Sequence, residues 1–227
     1  MSKKIHKINQ LTHTDSFMQI NFLRGFKYID KAGEIINSFF TEQKEPPYQM
    51  TQRELIIKEN EGSSETYRIA VNNVWSHNSN PQNFGNLEQI FQKKYQEILT
   101  ILDVNEVVRI GWRNYFVYEF NNADEKNSIL SKLTPIADSE FLNLVFDKKI
   151  NGIKCKFLIK GAEKNNEERT PAIIIDVDCS NNFENNPIEI GDIFTHLGKI
   201  REALLSESML NVVNDILNLD GGKQEKQ

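Results

Sequence analysis

The sequence predicts an α+β fold in which helices pack on one face of a mainly antiparallel sheet. Stretches that alternate apolar and polar side chains, as half-buried strands do, outnumber the stretches with helical periodicity. Short turn signals join several of these strands directly, which favours hairpins over helical crossovers. With 227 residues, 39% of them hydrophobic, the chain is long enough for one large domain or two small ones that share a core.

Five elements are predicted in the first half, in the order strand, helix, strand, strand, helix. The strand over 17–26 alternates apolar and polar side chains, and Asp30 caps the helix that follows it. The strands over 54–59 and 66–75 flank the polar segment NEGSSE and are predicted to form a hairpin. The second helix follows a capping-box-like pattern at Asn86. Its apolar stripe consists of Leu87, Ile90, Phe91, Tyr95, Ile98, Leu99 and Leu102.

The second half is predicted to contain strand, helix, three strands and a long helical stretch. Asn151-Gly152 is the strongest short hairpin signal in the chain, because both residues tolerate the positive φ angles of a tight turn. Pro171 fits the first position of a strand, where no ladder hydrogen bond is lost. In order, the predicted elements span 107–120, 124–133, 140–150, 153–161, 171–180 and 189–218.

The long helical stretch is predicted to break near Ser206–Ser208. Before the break, one apolar stripe faces the sheet of the second half: Ile190, Phe194, Leu197, Ile200 and Leu204. After the break, a second stripe consists of Leu210, Val213, Ile216 and Leu217. This last helix either folds back onto the first half or offers its apolar stripe to a partner. We favour fold-back, since an exposed apolar stripe promotes aggregation.

Element order indicates two structurally related β-α-β-β-α halves whose sheets join into one curved sheet. The first half spans 16–106 and the second half spans 107–220, whereas 1–15 and 221–227 are predicted to be loosely ordered. The chain shows no repeat at the level of sequence. The predicted duplication therefore depends on element order alone.

Composition and targeting signals predict a cytoplasmic protein without a membrane span. The N-terminal segment is basic and polar, unlike a signal peptide, and no apolar run approaches the roughly 18 residues that a spanning helix needs. Cys155 and Cys179 lie in predicted strands outside any CxxC motif, as buried reduced thiols do. The formal net charge of −5 counts against a broad nucleic-acid surface.

The candidate binding site begins in the strand VVRIGWRNYFVYEF. Because side chains alternate faces along a strand, Arg109, Gly111, Arg113, Tyr115 and Glu119 share the face opposite the core. Gly111 leaves a gap between two guanidinium groups, which fits a phosphate or a carboxylate. The same gap also suits the close approach of a neighbouring backbone, or a bulge.

A second part of the candidate site lies in the strand IIIDVDCS, where Asp176 and Asp178 share one face. Two carboxylates so spaced can hold a divalent metal, but no Gly-Ser phosphate-binding turn precedes them. If the two strands are neighbours, the aspartates can instead pair with Arg109 and Arg113. We favour this charge network, with anion binding as the second interpretation and a metal site as the third. The candidate ligand-binding residues are Arg109, Gly111, Arg113, Tyr115, Asp176 and Asp178.

No catalytic residue, cofactor or metal ligand is predicted. His6 and His13 fall in the N-terminal segment, His77 in a polar loop, and His196 on the last helical stretch, where it suits packing or hydrogen bonding. The sequence contains no HExxH, Walker, GxGxxG or GxSxG motif.

Three segments, RIGWRNYFVYEF, IIIDVD and FTHLGKIREALLSESM, together resemble a sporadically distributed, uncharacterised family of bacterial proteins. That family has an R-I-G-x-R-(Y/N) strand motif, then a strand that ends in Asp, then a helix that contains His. Here Trp replaces the more frequent Leu after the glycine, and the histidine precedes a leucine instead of following it. The resemblance implies an accessory or mobile-element context, including antiviral defence. It implies no activity, so no catalytic role carries over.

These observations favour a non-enzymatic binding or scaffold subunit of a bacterial multi-protein system, whose partner is a protein. The alternative is a module, with or without enzymatic activity, that binds an anionic small molecule or nucleotide in a groove over Arg109, Gly111 and Arg113. Nucleic-acid binding by a curved sheet is a third hypothesis, which the acidic balance counts against. The oligomeric state stays open.

Overall fold

The computed structural model describes residues 5–23, 27–40, 46–58, 64–133, 143–163 and 170–217. It confirms the α+β class. The strands are β1 (Thr12–Asn21), β2 (Tyr48–Met50), β3 (Glu54–Lys58), β4 (Glu65–Ala70), β5 (Asn73–Ser79), β6 (Glu106–Val107), β7 (Arg109–Glu119), β8 (Asn143–Ile150), β9 (Ile153–Glu163), β10 (Pro171–Asn182) and β11 (Ile188–Glu189). The α-helices are α1 (Lys27–Asp30), α2 (Ala32–Asn37), α3 (Phe84–Ile101), α4 (Ala123–Leu133), α5 (Ile193–Leu205) and α6 (Glu207–Ile216). Short 3-10 helices span Ile8–Gln10 and Ile190–Asp192.

Nine of the described strands form one sheet, in the order β2-β3-β4-β5-β1-β7-β10-β9-β8. The two remaining strands, β6 and β11, pair in a small ribbon. The order contains two similar runs, β1-β5-β4-β3 and β7-β10-β9-β8. In each run, the first strand in sequence lies beside the last, and helical segments follow both of them. In the nine-stranded sheet, four strands (β2 to β5) follow the first helical segment of the first half and three (β8 to β10) follow that of the second, so the duplication stays a prediction.

The described chain divides into two compact units that interleave in sequence. The larger unit comprises 14–114 and 180–200, and the smaller unit comprises 1–13, 115–179 and 201–227. Both units contain residues from both sides of the predicted division at residue 106. The predicted division into two successive halves at residue 106 stays a prediction.

The first strand begins earlier than predicted. β1 starts at Thr12, five residues before the predicted start at Phe17, so it includes residues that the sequence predicts to be loosely ordered. The predicted alternation is confirmed, because Met18 and Ile20 are buried. The signal was missed because the early strand residues, THTDS, are all polar.

The residues before β1 are also ordered, contrary to prediction. Ile5, Ile8 and Leu11 are buried at a spacing of three residues. The main-chain N–H of Ile5 donates to Oδ1 of Asn214 at 2.9 Å, and Nδ2 of Asn214 donates to the carbonyl of Ile5 at 2.9 Å. Three apolar anchors and one buried amide thus fix a segment whose remaining residues are mostly polar.

The predicted strand over 66–75 contains a turn. β4 and β5 are antiparallel, with Ile69 opposite Val74, and the chain reverses at Val71–Asn72. Neither residue is the Gly or Pro that usually marks a tight turn, which explains why the turn was missed. As a result His77 lies on β5, not in the predicted loop.

The long helix of the first half begins before its predicted cap. Asn83, not Asn86, is the N-cap, because its side chain accepts a hydrogen bond of 2.8 Å from the main-chain N–H of Asn86. The predicted stripe faces the core except at the half-buried Ile90. Its buried members are Leu87, Phe91, Tyr95, Ile98, Leu99 and Leu102.

The predicted hairpin at Asn151–Gly152 is confirmed. The φ angles of these two residues are 49° and 86°, as a type I′ turn requires. The pairing of β8 with β9 is continuous from Ile150 opposite Ile153 to Asn143 opposite Lys160. β10 begins at Pro171, as predicted.

The helical break is also confirmed at Ser206, which separates α5 from α6. Its hydroxyl accepts a hydrogen bond of 3.2 Å from the N–H of Met209 and so caps α6. The apolar stripe of α6 is buried within the chain, at Met209, Val212, Val213 and Ile216. Of the predicted stripe, Val213, Ile216 and Leu217 are buried and Leu210 is half-buried. α6 thus packs within the smaller unit, and fold-back onto the first half stays a prediction. The predicted flexible tail over 221–227 lies outside the described residues.

Within the described ranges, every helix is too short or too polar to span a membrane.

Candidate binding surfaces

The two faces of β7 are divided as the sequence predicts. Ile110, Trp112 and Phe116 are fully buried on the core face. On the opposite face Arg109 is half-buried and Arg113 is exposed. Tyr115 and Glu119 on the same face are half-buried and exposed, respectively.

The space above Gly111 is filled by the chain's own Arg109. A Cβ atom at Gly111 would lie 2.9 Å from Nη2 and 3.1 Å from Cζ of Arg109. The guanidinium group therefore folds back over its own strand. An anion at this position would meet the edge of Arg109 instead of an open gap between two arginines.

We expect Gly111→Ala to change the free energy of unfolding by less than about 1 kcal/mol. A new Cβ displaces only the flexible end of Arg109, and removing a glycine from a strand gains about 0.5–1 kcal/mol of backbone entropy. Gly152→Ala is the contrasting variant, because its φ of 86° strains any residue with a Cβ. Chemical denaturation of both variants measures the difference. A larger loss for Gly111→Ala than for Gly152→Ala would show that Arg109 is held rigidly in place.

The two candidate aspartates lie on β10, the neighbour of β7 in the sheet order. Asp176 is only 2% exposed, and Asp178 is half-buried. Asp176, Asp178 and Tyr115 belong to the smaller unit, whereas Arg109 and Arg113 belong to the larger unit. The strands are thus neighbours as predicted, and pairing between the arginines and aspartates stays a prediction. The described residues contain no cluster of three or more His, Cys, Asp or Glu side chains that is suited to a metal ion.

A second surface, which the sequence did not predict, lies on the larger unit. It consists of side chains that alternate with the buried residues of β1, β3, β4 and β5 and therefore point away from the core. We call this surface the outer face. Its members include Asp15, Phe17, Gln19, Glu54, Ile56, Lys58, Thr66, Arg68, Trp75 and His77.

One half of the outer face is a stacked pair of rings held by a carboxylate. Phe17 and His77 lie opposite each other in the β1–β5 pairing, with ring centroids 4.2 Å apart and planes inclined by 4°. Nε2 of His77 lies 2.7 Å from Oδ1 of Asp15. The imidazole is thus fixed in orientation by a ring on one side and an oxygen at its edge.

The other half of the outer face is an arginine stacked on a tryptophan. Cζ of Arg68 lies 4.6 Å from the centre of the Trp75 ring. Nη1 of Arg68 lies 3.4 Å from a carboxylate oxygen of Glu54. Arg68 and His77 thus each have an acidic neighbour, whereas Lys58, on the same face of β3, is exposed.

Behind the outer face, buried hydrogen bonds fix the register of the central strands. Nε1 of Trp112 donates to Oγ of Ser16 at 2.7 Å, and that hydroxyl donates to Oδ1 of Asn114 at 2.9 Å. All three side chains are fully buried. Polar groups in such a place must be hydrogen-bonded, so these residues specify which strand positions face each other.

Tyr95 on α3 joins the helix to the same strands. Its hydroxyl donates to the carbonyl of Met18 at 2.8 Å and lies 3.1 Å from Oγ of Ser76. Burial raises the pKa of Tyr95 far above its ordinary value, which keeps the phenol protonated. The residue is therefore a structural donor, not a proton acceptor.

Two of the other histidines, His13 and His196, pack against aromatic rings. The His13 ring lies 4.8 Å from that of Phe116, so this residue belongs to β1 and not to a loose N-terminus. The His196 ring lies 4.7 Å from that of Phe183, as expected for a packing role. Burial is the main cause that lowers the pKa of His196 below its ordinary value, and the neutral ring is favoured.

The two cysteines are buried and not joined in a disulfide, as predicted. A hydrogen bond to the Cys155 thiol, followed by burial, raises the pKa of Cys179 well above its ordinary value. Since the thiolate is the reactive form, Cys179 is protected against alkylation and metal binding.

Comparison with known proteins leaves the family open. No protein-family model matches the chain, and no curated protein matches it either. The resemblance to a sporadically distributed bacterial family therefore stays a prediction.

Proposed function

We propose that this protein is a non-enzymatic binding subunit of a multi-protein assembly, and that a partner protein docks on the outer face. The observation that supports this proposal is the half-exposed Trp75 with Arg68 stacked on it. Tryptophan and arginine are the residues most enriched among those that dominate the energetics of protein interfaces. On the resemblance alone, we place the assembly in a bacterial accessory system such as antiviral defence.

The contacts within the outer face favour tight binding. The stacking of Phe17 on His77, and of Arg68 on Trp75, holds large side chains in one conformation before a partner arrives. Each immobilised, rotamer-rich side chain otherwise costs about 0.5–1.5 kcal/mol on binding. A surface of this kind is therefore already organised for contact.

Two observations favour protein binding over the alternative of an anionic ligand. On the outer face, the carboxylates of Asp15 and Glu54 lie beside His77 and Arg68. On β7, the gap predicted above Gly111 is filled by the Arg109 guanidinium. An anion would therefore meet carboxylates beside Arg68 and His77, and no open gap above Gly111.

The test compares tagged wild-type protein with Trp75→Ala, each expressed in its native cell. We expect a specific partner to co-purify with the wild type and to be lost from the variant, because the aromatic anchor of the interface is gone. Leu205→Ala is the matched control, since Leu205 is also a large exposed side chain but lies on α5. Thermal melts of both variants confirm that they remain folded.

A partner that stays bound to the folded Trp75→Ala variant contradicts docking on the outer face.

The alternative, that the groove on β7 binds an anion, is tested separately by thermal melting. If inorganic phosphate or a nucleotide raises the Tm of the wild type but not that of Arg109→Ala, the groove on β7 is a ligand site and the alternative replaces the proposal.

A further inference from the structure

The β8–β9 hairpin of the smaller unit presents a row of lysines on one side. Cys155, Phe157 and Ile159 of β9 are buried, and the side chains that alternate with them point the other way. Lysines from both strands lie on this second side, which we call the lysine face. They are Lys149, Lys154, Lys156 and Lys160.

The lysine face is electrostatically unfavourable within the isolated hairpin. Lys149 lies directly opposite Lys154, and like charges at such positions destabilise a sheet. Asp147 offsets part of this cost, because its Oδ2 lies 2.9 Å from Nζ of Lys154. Four lysines against one aspartate still leave an excess of positive charge on a chain whose formal net charge is −5.

Protection of a sheet edge explains only part of this pattern. Lysines on an edge strand discourage edge-to-edge association, and Lys149 on β8 suits that role. Lys154, Lys156 and Lys160 lie on β9, which has β8 on one side and β10 on the other. Edge protection does not require charges on this interior strand.

The edge itself is suited to another strand. β8 is the last strand in the sheet order, and it pairs with β9 at every position from 143 to 150, without a bulge. It contains no proline. Its outward main-chain N–H and C=O groups therefore form a regular row that an extended peptide can continue by hydrogen bonding.

The centre of the lysine face is apolar. Val145 lies opposite Leu158, and Val145 is 50% exposed. An extended peptide with an apolar side chain between acidic ones matches this surface. A nucleic acid would find phosphate contacts here but no ring for base stacking, because Phe146 and Phe157 lie on the opposite face and stack on each other.

We propose that β8 accepts an acidic, extended segment of a partner protein as an added strand. Main-chain hydrogen bonds along β8 hold the segment, its carboxylates contact the lysine face, and an apolar side chain packs on Val145. This site is separate from the outer face, because all its residues belong to the smaller unit.

The experiment uses a fluorescein-labelled, eight-residue peptide, Glu-Thr-Val-Thr-Glu-Thr-Glu-Thr, whose glutamates and valine share one face of an extended strand, with fluorescence anisotropy as the readout. We expect the full chain to bind this peptide, and binding to weaken as salt is raised. The double variant Lys156→Glu/Lys160→Glu should bind at least tenfold more weakly. Lys132→Glu is the matched control, since this lysine is exposed on α4 of the same unit and should leave binding unchanged.

Two further probes test the chemistry of the partner. The same peptide with N-methyl groups on alternate residues should lose binding, because it can no longer donate main-chain hydrogen bonds to β8. The same peptide with lysine in place of each glutamate should not bind. Trp75→Ala should bind the acidic peptide normally, which separates this proposal from docking on the outer face.

Four results would overturn the proposal. These are no binding of the acidic peptide to wild-type protein, equal binding by the double lysine variant, equal binding of the N-methylated peptide, and tighter binding of an oligothymidine of matched charge. The last result would assign the lysine face to nucleic acid instead of protein.

Discussion

Replacing Trp112 with alanine should lower the free energy of unfolding by about 3–5 kcal/mol, the usual loss when a buried aromatic side chain is removed. Trp112 is 0% exposed. Its ring lies edge-on to those of Phe84 and Phe91 on α3, at 5.5 and 5.8 Å. The substitution therefore removes these two ring contacts between β7 and α3 and the hydrogen bond to Ser16.

The chain provides its own control for this prediction, because it contains two tryptophans. Trp75 lies half-exposed on the outer face, so Trp75→Ala leaves no enclosed cavity and should cost much less than Trp112→Ala. Urea denaturation measures both losses. Each variant also retains a single tryptophan, and the emission of Trp112 should lie at a shorter wavelength than that of Trp75. Equal losses would contradict the assignment of Trp112 to the core and Trp75 to the surface.

The sequence predicted best those elements that are determined by residues adjacent in the sequence. The core face of β7 follows from the two-residue period of a strand, and Asn151–Gly152 follows from the φ angles that a type I′ turn requires. Pro171 and the break at Ser206 are likewise set by the residues themselves. Each signal is complete within a few neighbouring residues.

The missed features depend on distant partners. Thr12 begins a strand because β1 has neighbours on both sides in the sheet, and Ile5 is fixed by Asn214, more than 200 positions later. The turn at Val71–Asn72 has no glycine or proline to mark it. Tertiary pairing decided these cases against local preference.

The candidate site was predicted only in part, because some of its features also depend on more than local spacing. The two-residue period placed Arg109, Gly111 and Arg113 on one face correctly. Whether a guanidinium group fills the gap above Gly111 depends on a side-chain conformation that no spacing rule gives. The outer face was missed because the turn before β5 was missed, which left His77 in a predicted loop. A prediction that divided 66–75 at Asn72 would have placed Trp75 and His77 on one face of a strand.

Truncation after Leu205 should prevent the chain from folding into a soluble protein. The deletion removes α6, whose Met209 and Val213 are fully buried, together with the buried Leu217 that follows it. Each such side chain contributes about 1.5–3 kcal/mol through burial, a large share of the 5–15 kcal/mol by which a typical domain is stable. The deletion also removes Asn214, which holds the main chain of Ile5. The exposed partners of these residues would then form an apolar surface that promotes aggregation.

Truncation after Leu217 is the matched control, because it shortens the chain but keeps α6 and Asn214 in place. Soluble yield, size-exclusion chromatography and thermal melting of the two truncated proteins decide between the roles of α6. If only the shorter protein is insoluble or unfolded, α6 is part of the core and joins the N-terminal residues to it. A stable, folded monomer that lacks α6 would contradict this role, because it would show that Met209, Val213 and Leu217 are dispensable for folding. Loss of a co-purifying partner by such a monomer would make α6 a docking element instead.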